Sequence, residues 1–386
     1  MARMPEKICL PLRQNPTGAS LILLTLALLA FGVVMVKSSL SSLRAPPAEW
    51  YNQTSYRHMF FAAGAALVLC LAWRLDYRRF LGKQDRMPLG IPLPALIVLI
   101  GAFLTSLLVF APGVGHAVGG FHRWIRVGSF QFQPSELFKL SLLVFLAAWI
   151  SGGRIKLRGI GVLGFLLLCG VILLMMVGVG VIATQDFGTA AIIGLSAAVM
   201  LLLAGVPWYY LVSLLIPAAG AFYFLVYHNA YRWGRMLTMM DPWKSYQSSM
   251  ALLAINSGGW TGQGLGNGII KMGYLPERST DYIFSIICEE LGMVGACLLL
   301  GLLIVWVWQV RRAAMNAADR FGQLLVGALG FVIVAQALLH IAVNLAVAPP
   351  KGIGLPFLSA GGTSMVIMAA AVALIVSVTA RRRSEN

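Results

Sequence analysis

The stretch "LPERSTDYIFSIICEELG", residues Leu275–Gly292, sets Asp281 just ahead of a long apolar run and places Glu289 and Glu290 inside that run. Ionised carboxylates are costly in such a frame unless they are paired, hydrated or used. The run continues to about residue 305, long enough to cross a bilayer. Runs of this kind recur, and we place spans near 19–36, 56–73, 91–110, 134–151, 160–182, 189–205, 209–227, 281–305, 323–345 and 362–380. The expected fold is an all-α integral membrane protein with about ten transmembrane helices. It forms a single polytopic domain over 1–386, with a large loop at 228–280 between helices seven and eight and a short basic tail at 381–386.

Composition supports this reading. The chain is 59% hydrophobic and 11% charged, whereas a soluble domain carries about a quarter charged residues. A net charge of +16 would suggest nucleic acid in a soluble protein. Here the concentration of Lys and Arg in loops on one side of a membrane explains most of it, and no nucleic-acid partner is expected. Seventeen of the 29 Lys and Arg lie before span one, after spans two, four and eight, or at the C-terminus. That face is assigned to the cytoplasm, and an even number of spans puts both termini there. The tail is then cytoplasmic and 228–280 extracytoplasmic. Lys37, Arg44, Arg57, Arg123, Arg126, Arg232, Arg235, Lys244, Lys271, Arg278 and Lys351 fall on or near the opposite face. They serve either as headgroup anchors or as a surface for an anionic substrate. The first span has no clear signal-peptidase site and reads as a retained helix. The five cysteines show no metal-ligand spacing and no disulfide framework.

Several polar groups interrupt the apolar pattern. In "FQPSELFKLSLL" (132–143), Glu136 and Lys139 share one helix face. They are either a self-neutralising structural pair or the charged wall of an outward-facing cavity. Asp186 lies in a very short turn, as a local cap or as a site residue. His340 and Asn344 are four apart, and either line the same cavity or bond between helices. "PPKGIGLPFLSAGGTS" (349–364) is a Pro/Gly-broken segment of the kind tolerated at membrane depth only inside protein or along a wet cavity. The 228–280 loop has a helical patch near 247–256 and a glycine run, "GQGLGNG" (262–268). The run follows no strand and lacks phosphate-loop spacing, so we expect a turn that admits a lipid headgroup. Asp281, at the mouth of span eight, is the strongest acid. It is either a helix N-terminal carboxylate favoured by the dipole or a general base.

These stretches resemble the SEDS family (shape, elongation, division and sporulation) of polytopic peptidoglycan glycosyltransferases. The likeness is carried by "HRWIRVGSFQFQPSELFKL", "QDFGTA", "DPW…GGWTGQGLGNG…YLPERSTDYIFSIICEELG" and "NLAVAPPKGIGLPFLSAGGTS", in that order. Gln185 stands where the family usually has Pro, Ser279 where His is common, and Ala360 where Tyr is usual. The late-loop pattern is closer to the division branch than to the elongation branch. The resemblance implies a protein of the bacterial cytoplasmic (inner) membrane with its active site facing outward. Its substrate would be lipid II, a lipid-diphosphate disaccharide-pentapeptide, polymerised into glycan strands. The implied partners are a class B penicillin-binding protein transpeptidase and other divisome or elongasome membrane proteins. It implies that Asp281 is catalytic. Arg123, Glu136, Lys139, Asp186, Arg232, Arg235, Lys271, Asn344 and Ser359 form the expected substrate-binding set. No cofactor is assigned, and a divalent cation (Mg²⁺ or Mn²⁺) is an alternative to the cationic side chains at the leaving diphosphate.

Two other classes compete. A lipid II flippase needs a charged path to both leaflets, whereas the acids and bases here cluster outward. A non-catalytic scaffold for a transpeptidase would tolerate loss of Asp281. An elongation-type polymerase remains the alternative within the enzyme class.

Overall fold

The computed structural model describes residues 14–41, 53–82, 91–118, 121–127, 130–152, 170, 187–214, 216, 219–220, 223–228 and 230–381. The chain enters α1 (Pro16–Leu40) through Asn15, whose side chain accepts the Gly18 N–H, with Pro16 in the first turn. This is favourable N-terminal chemistry. Next come α2 (Gln53–Cys70) and α3 (Leu93–Leu107), then three strands, β1 (Gly115–Val118), β2 (Phe121–Val127) and β3 (Phe130–Phe132). There follow α4 (Pro134–Ser151), α5 (Phe187–Leu203), α6 (Trp208–Ser213), α7 (Ala230–Met240) and α8 (Tyr246–Gly258). The chain closes with α9 (Ile283–Met315), α10 (Arg320–Asn344) and α11 (Thr363–Thr379).

By length and composition, α1, α3 with its 3-10 extension to Phe110, α4, α9 and α10 can each cross a bilayer. The apolar helices Gly188–Leu203 and Thr363–Thr379 are shorter. Six of the expected spans recur at these places within a few residues, α9 runs on to Met315 past the expected end near 305, and the span expected at 56–73 falls on α2. The span expected at 160–182 lies outside the described residues apart from residue 170, and the one at 209–227 is described only in pieces. The helix read near 247–256 is α8.

The antiparallel sheet, in the order β1-β2-β3, departs from the all-α expectation. Its signal was legible: Gly119-Gly120 and Gly128-Ser129 punctuate three short apolar-aromatic runs as two-residue hairpin connections do. The sheet sits between α3 and α4 in the chain and feeds directly into Pro134.

The bundle is centred on α11, which packs on α1, α2, α4 and α10. Its buried positions run almost without a break from Ile367 to Thr379, the pattern of a helix covered on all sides. The segment before it runs against α1. A side chain at Gly32 would collide with the Phe357 and Leu358 backbone, so glycine is what allows that approach. At the far end of the bundle, Asp319 accepts hydrogen bonds from Tyr77 Oη (2.7 Å) and Arg78 Nε (3.0 Å), tying the segment after α2 to the head of α10.

α9 is broken at Gly292, where φ is 65°. An unbroken helix would bond Met293 N–H to the Glu289 carbonyl and Val294 N–H to that of Glu290. Residues 259–264 take over both positions. Gln263 and Gly264 donate to the Glu289 and Glu290 carbonyls, each at 3.0 Å. Met293 and Val294 donate to Gly259 and Trp260 carbonyls at 2.9 and 3.2 Å. A Cβ on Gly262 or Gly258 would overlap the α9 backbone. Within the glycine run, Gly262 admits the helix's own main chain, a role the sequence did not show, while Gly266 has no atom within 4 Å of an added Cβ.

Candidate active site

Asp281 is held by its main chain from two sides. Its N–H donates to the Glu277 carbonyl at 3.0 Å. Its carbonyl accepts from Asn344 Nδ2 at 3.0 Å. Asn344 is fully buried at the end of α10. It also donates to the His340 carbonyl (2.9 Å) and accepts from Ser285 N and Oγ (3.0 and 2.8 Å). One amide thus joins α10, the first turn of α9 and the acid. The broken segment forms the other wall. Ser359 Oγ donates to the Thr280 carbonyl (2.7 Å), and Ala360 N–H to that of Ser279 (2.9 Å). Gly352 lies against the carboxylate: a Cβ there would stand 3.4 Å from Asp281 Oδ2. Burial pushes the Asp281 pKa up to about 7, Glu277 adds like-charge repulsion, and Arg235 on α7 opposes both. A carboxyl poised near neutral pH is suited to proton abstraction.

The second cluster lies at the heads of α4 and α11. Lys139 Nζ meets both Glu136 oxygens at 2.9 and 3.0 Å and donates to Gln336 Oε1 at 3.1 Å. Ser364 Oγ donates to Glu136 Oε2 at 3.1 Å. Gln336 Nε2 then donates to the Gly354 carbonyl (3.2 Å), and His340 Nδ1 contacts the Ile353 carbonyl (2.8 Å). The charge pair is therefore linked through 352–354 to the segment that walls Asp281. Both charged residues are buried, Glu136 at 5% and Lys139 at 3% exposure. This geometry is that of a satisfied ion pair within the bundle.

Comparison with known proteins gives a consistent result. The profile of the cell cycle protein family FtsW/RodA/SpoVE matches residues 19–384. The chain belongs to this family. It is 33% identical over 368 residues to "Probable peptidoglycan glycosyltransferase FtsW" of Geobacter sulfurreducens, covering 94% of each chain. Over 364 residues it is 33% identical to the protein of the same name from Pseudomonas fluorescens, covering 92% of this chain and 85% of that one. Among solved structures, it resembles a chain described under "Structural coordination of polymerization and crosslinking by a peptidoglycan synthase complex". That match has a TM-score of 0.73 and 25% identity, over 93% of this chain and 96% of that one. The rod-shape-determining protein RodA of Thermus thermophilus matches with a TM-score of 0.65 and 25% identity, over 95% and 97% of the two chains. The fold is that of this FtsW/RodA family, a mostly helical, multi-pass membrane protein.

Within this FtsW-like chain the expected site residues divide. Asp281, Asn344 and Ser359 converge, the last two through backbone contacts to 280–281. Arg235 is exposed on α7 and acts electrostatically on Asp281. Arg123 is half-buried on β2. Asp186 and the Arg232 side chain lie outside what is described. Lys271 is a correction. It is fully buried and paired with Glu290 at 2.6 Å, so its ammonium does not stand among the cations facing the solvent. Glu136 and Lys139 are paired with each other and buried in this conformation. Gln336 and Ser364 escaped the sequence reading, although Gln336, His340 and Asn344 recur every four residues as one polar stripe on an apolar helix. Two departures from the family pattern, Ser279 and Ala360, share a single backbone hydrogen bond and so fall at one place in the fold. Among the described residues no three His, Cys, Asp or Glu side chains are grouped to hold a metal.

Proposed function

We propose that this FtsW-like chain is a peptidoglycan glycosyltransferase that polymerises lipid II at the outer face of the cytoplasmic membrane during septal wall synthesis. The named relatives support the reaction class and the septal role. The observation that carries the assignment of the base is Asp281: one carboxylate at the mouth of a span, fixed from both sides through its main chain and held near neutrality.

In this reading Asp281 takes the proton from a sugar hydroxyl of the acceptor. The hydroxyl oxygen forms the new bond to the donor's anomeric carbon from the face opposite the leaving group. The bond from that carbon to the diphosphate breaks, and its electron pair leaves with the lipid diphosphate, so the anomeric centre inverts. Arg123, Arg232 and Arg235 are the cations assigned to the departing charge, where guanidinium–phosphate contacts are strong. The transpeptidase assignment draws on the likeness to the synthase-complex chain: a class B penicillin-binding protein is the partner, with other divisome membrane proteins around the pair. The charge pattern supports placing both termini in the cytoplasm and 228–280 outside.

The test is polymerisation of purified lipid II by the purified protein, alone and with its cognate transpeptidase. Parental protein should make glycan strands, and Asp281→Asn should lose on the order of 10²–10⁴-fold in rate. Strand synthesis by Asp281→Asn at near the parental rate would sink the base assignment. An impermeant thiol reagent should label a cysteine at Lys244 and not one at Lys83 in intact cells.

A further inference from the structure

Four residues ahead of Asp281, Glu277 adopts φ 52°, in the left-handed region that favours glycine. Its carbonyl gathers three amide donors: Thr280 N–H at 3.1 Å, Asp281 N–H at 3.0 Å and Tyr282 N–H at 3.2 Å. Its carboxylate is also engaged, with Oε2 accepting the Thr280 hydroxyl at 2.8 Å. Glycine would make the same turn with less strain. What a glutamate adds is a carboxylate tethered to the residue next to Asp281.

We propose that Glu277 is a positioning residue for the reaction: its left-handed turn sets the Asp281 main chain, and the Thr280 hydroxyl tethers its carboxylate beside that acid. The proposal rests on the polymerase reading above and deepens it. The charged groups facing Asp281 can be named. Glu277 comes from its own loop and Arg235 from α7. Lys351 adjoins Gly352 on the broken segment. From α10 come the neutral Asn344 amide and, one turn back, His340, whose Nδ1 contacts a carbonyl. Glu277 is the negative neighbour in this set and Arg235 its counterweight. A base must be both ionised and proton-seeking, and a nearby anion raises its affinity for the proton.

The experiment is the pH profile of lipid II polymerisation by the full-length protein with its transpeptidase. Each variant is normalised to its own plateau. Glu277→Gln should move the acid limb down by about half a pH unit, so that relative rate at pH 6 rises about 2–3-fold. Arg235→Gln should move the limb up, and Glu277→Asp should stay near the parental profile even where its plateau falls. A purely structural role would lower the plateau and leave the limb in place. Should Glu277→Gln fail to fold, Thr280→Val removes the tether of the carboxylate and should shift the limb in the same direction. Superimposable acid limbs for the parental protein and the Glu277→Gln or Thr280→Val variant would overturn the proposal. If Asp281→Asn polymerised normally, the underlying base assignment would fail instead, which keeps the two outcomes distinct.

Discussion

Lys271 Nζ lies 2.6 Å from Glu290 Oε1, with both side chains fully removed from solvent. Ser38 at the end of α1 completes the cluster, its hydroxyl on the Glu290 carboxylate (2.6 and 2.8 Å) and its carbonyl accepting from Lys271 (3.0 Å). Arg278 adds a bond from Nε to the Ser39 carbonyl at 2.7 Å. Two cations of the loop thus sit on the last turn of α1, where unpaired carbonyls and the helix dipole favour positive charge. Glu289 anchors the same loop by accepting the Ile269 and Ile270 N–H groups at 2.7 and 2.8 Å. The buried Glu289 and Glu290 are therefore fasteners, while Asp281 keeps partial access to solvent.

Removing one member of this pair strands the other without its charge. Lys271→Met or Glu290→Gln should destabilise the protein by about 3–5 kcal/mol. The double variant should recover a large part of the loss. Thermal unfolding of detergent-purified protein reads this directly, and additive losses would argue against a coupled pair.

Asp281 gives a pH-dependent stability of defined sign. Its folded pKa, about 7, lies above the ordinary 3.8. Folding therefore binds a proton between those values, and stability falls as pH rises through them. Asp281→Asn abolishes this titration. The variant should unfold at a higher temperature than the parental protein at pH 8, with the difference shrinking towards pH 4. The opposite trend would show that the carboxylate is stabilised as an anion.

For Glu136 and Lys139, either single neutral substitution should lower stability and activity more than a size-matched double substitution. A lone buried charge is costlier than none. Expression, melting temperature and polymerisation rate together decide it. Equal loss of activity in all three variants, at normal protein levels, would assign the pair a direct role with substrate.

Gly262 has φ 79°, and a Cβ added there would overlap the Glu290 carbonyl. Gly262→Ala should cost on the order of 1–3 kcal/mol from backbone strain, with steric overlap added. Gly273 also has positive φ (105°), with no atom within 4 Å of an added Cβ. Gly273→Ala should therefore be the milder of the two, as judged by melting temperature.

Much of this was legible in the sequence, for physical reasons. Spans announce themselves by apolar length, and Asp281 by its position at the mouth of one. The spacing of His340 and Asn344 showed a shared face, though not that Asn344 would hold the Asp281 main chain. The role of Lys271 was hidden because its partners lie 19 and 233 residues away, and no local pattern encodes such a pairing. The glycine run carried a plain signal of close backbone approach, but the approaching backbone could not be read from it. The sheet was missed because its strands are short and lie between longer apolar runs that dominate the periodicity.

The seat of the glycine run on α9 also bears on how the chain is assembled. Residues 259–264 supply donors and acceptors to 289–294, and they are synthesised first. When the second segment reaches the bilayer, where each unserved peptide group costs several kcal/mol, its partners are already present. A chain circularly permuted between residues 265 and 282 would reverse that order. The span would then meet lipid with a gap in its hydrogen bonding. The loop is thus a missing turn of a transmembrane helix supplied in advance, through main-chain groups alone.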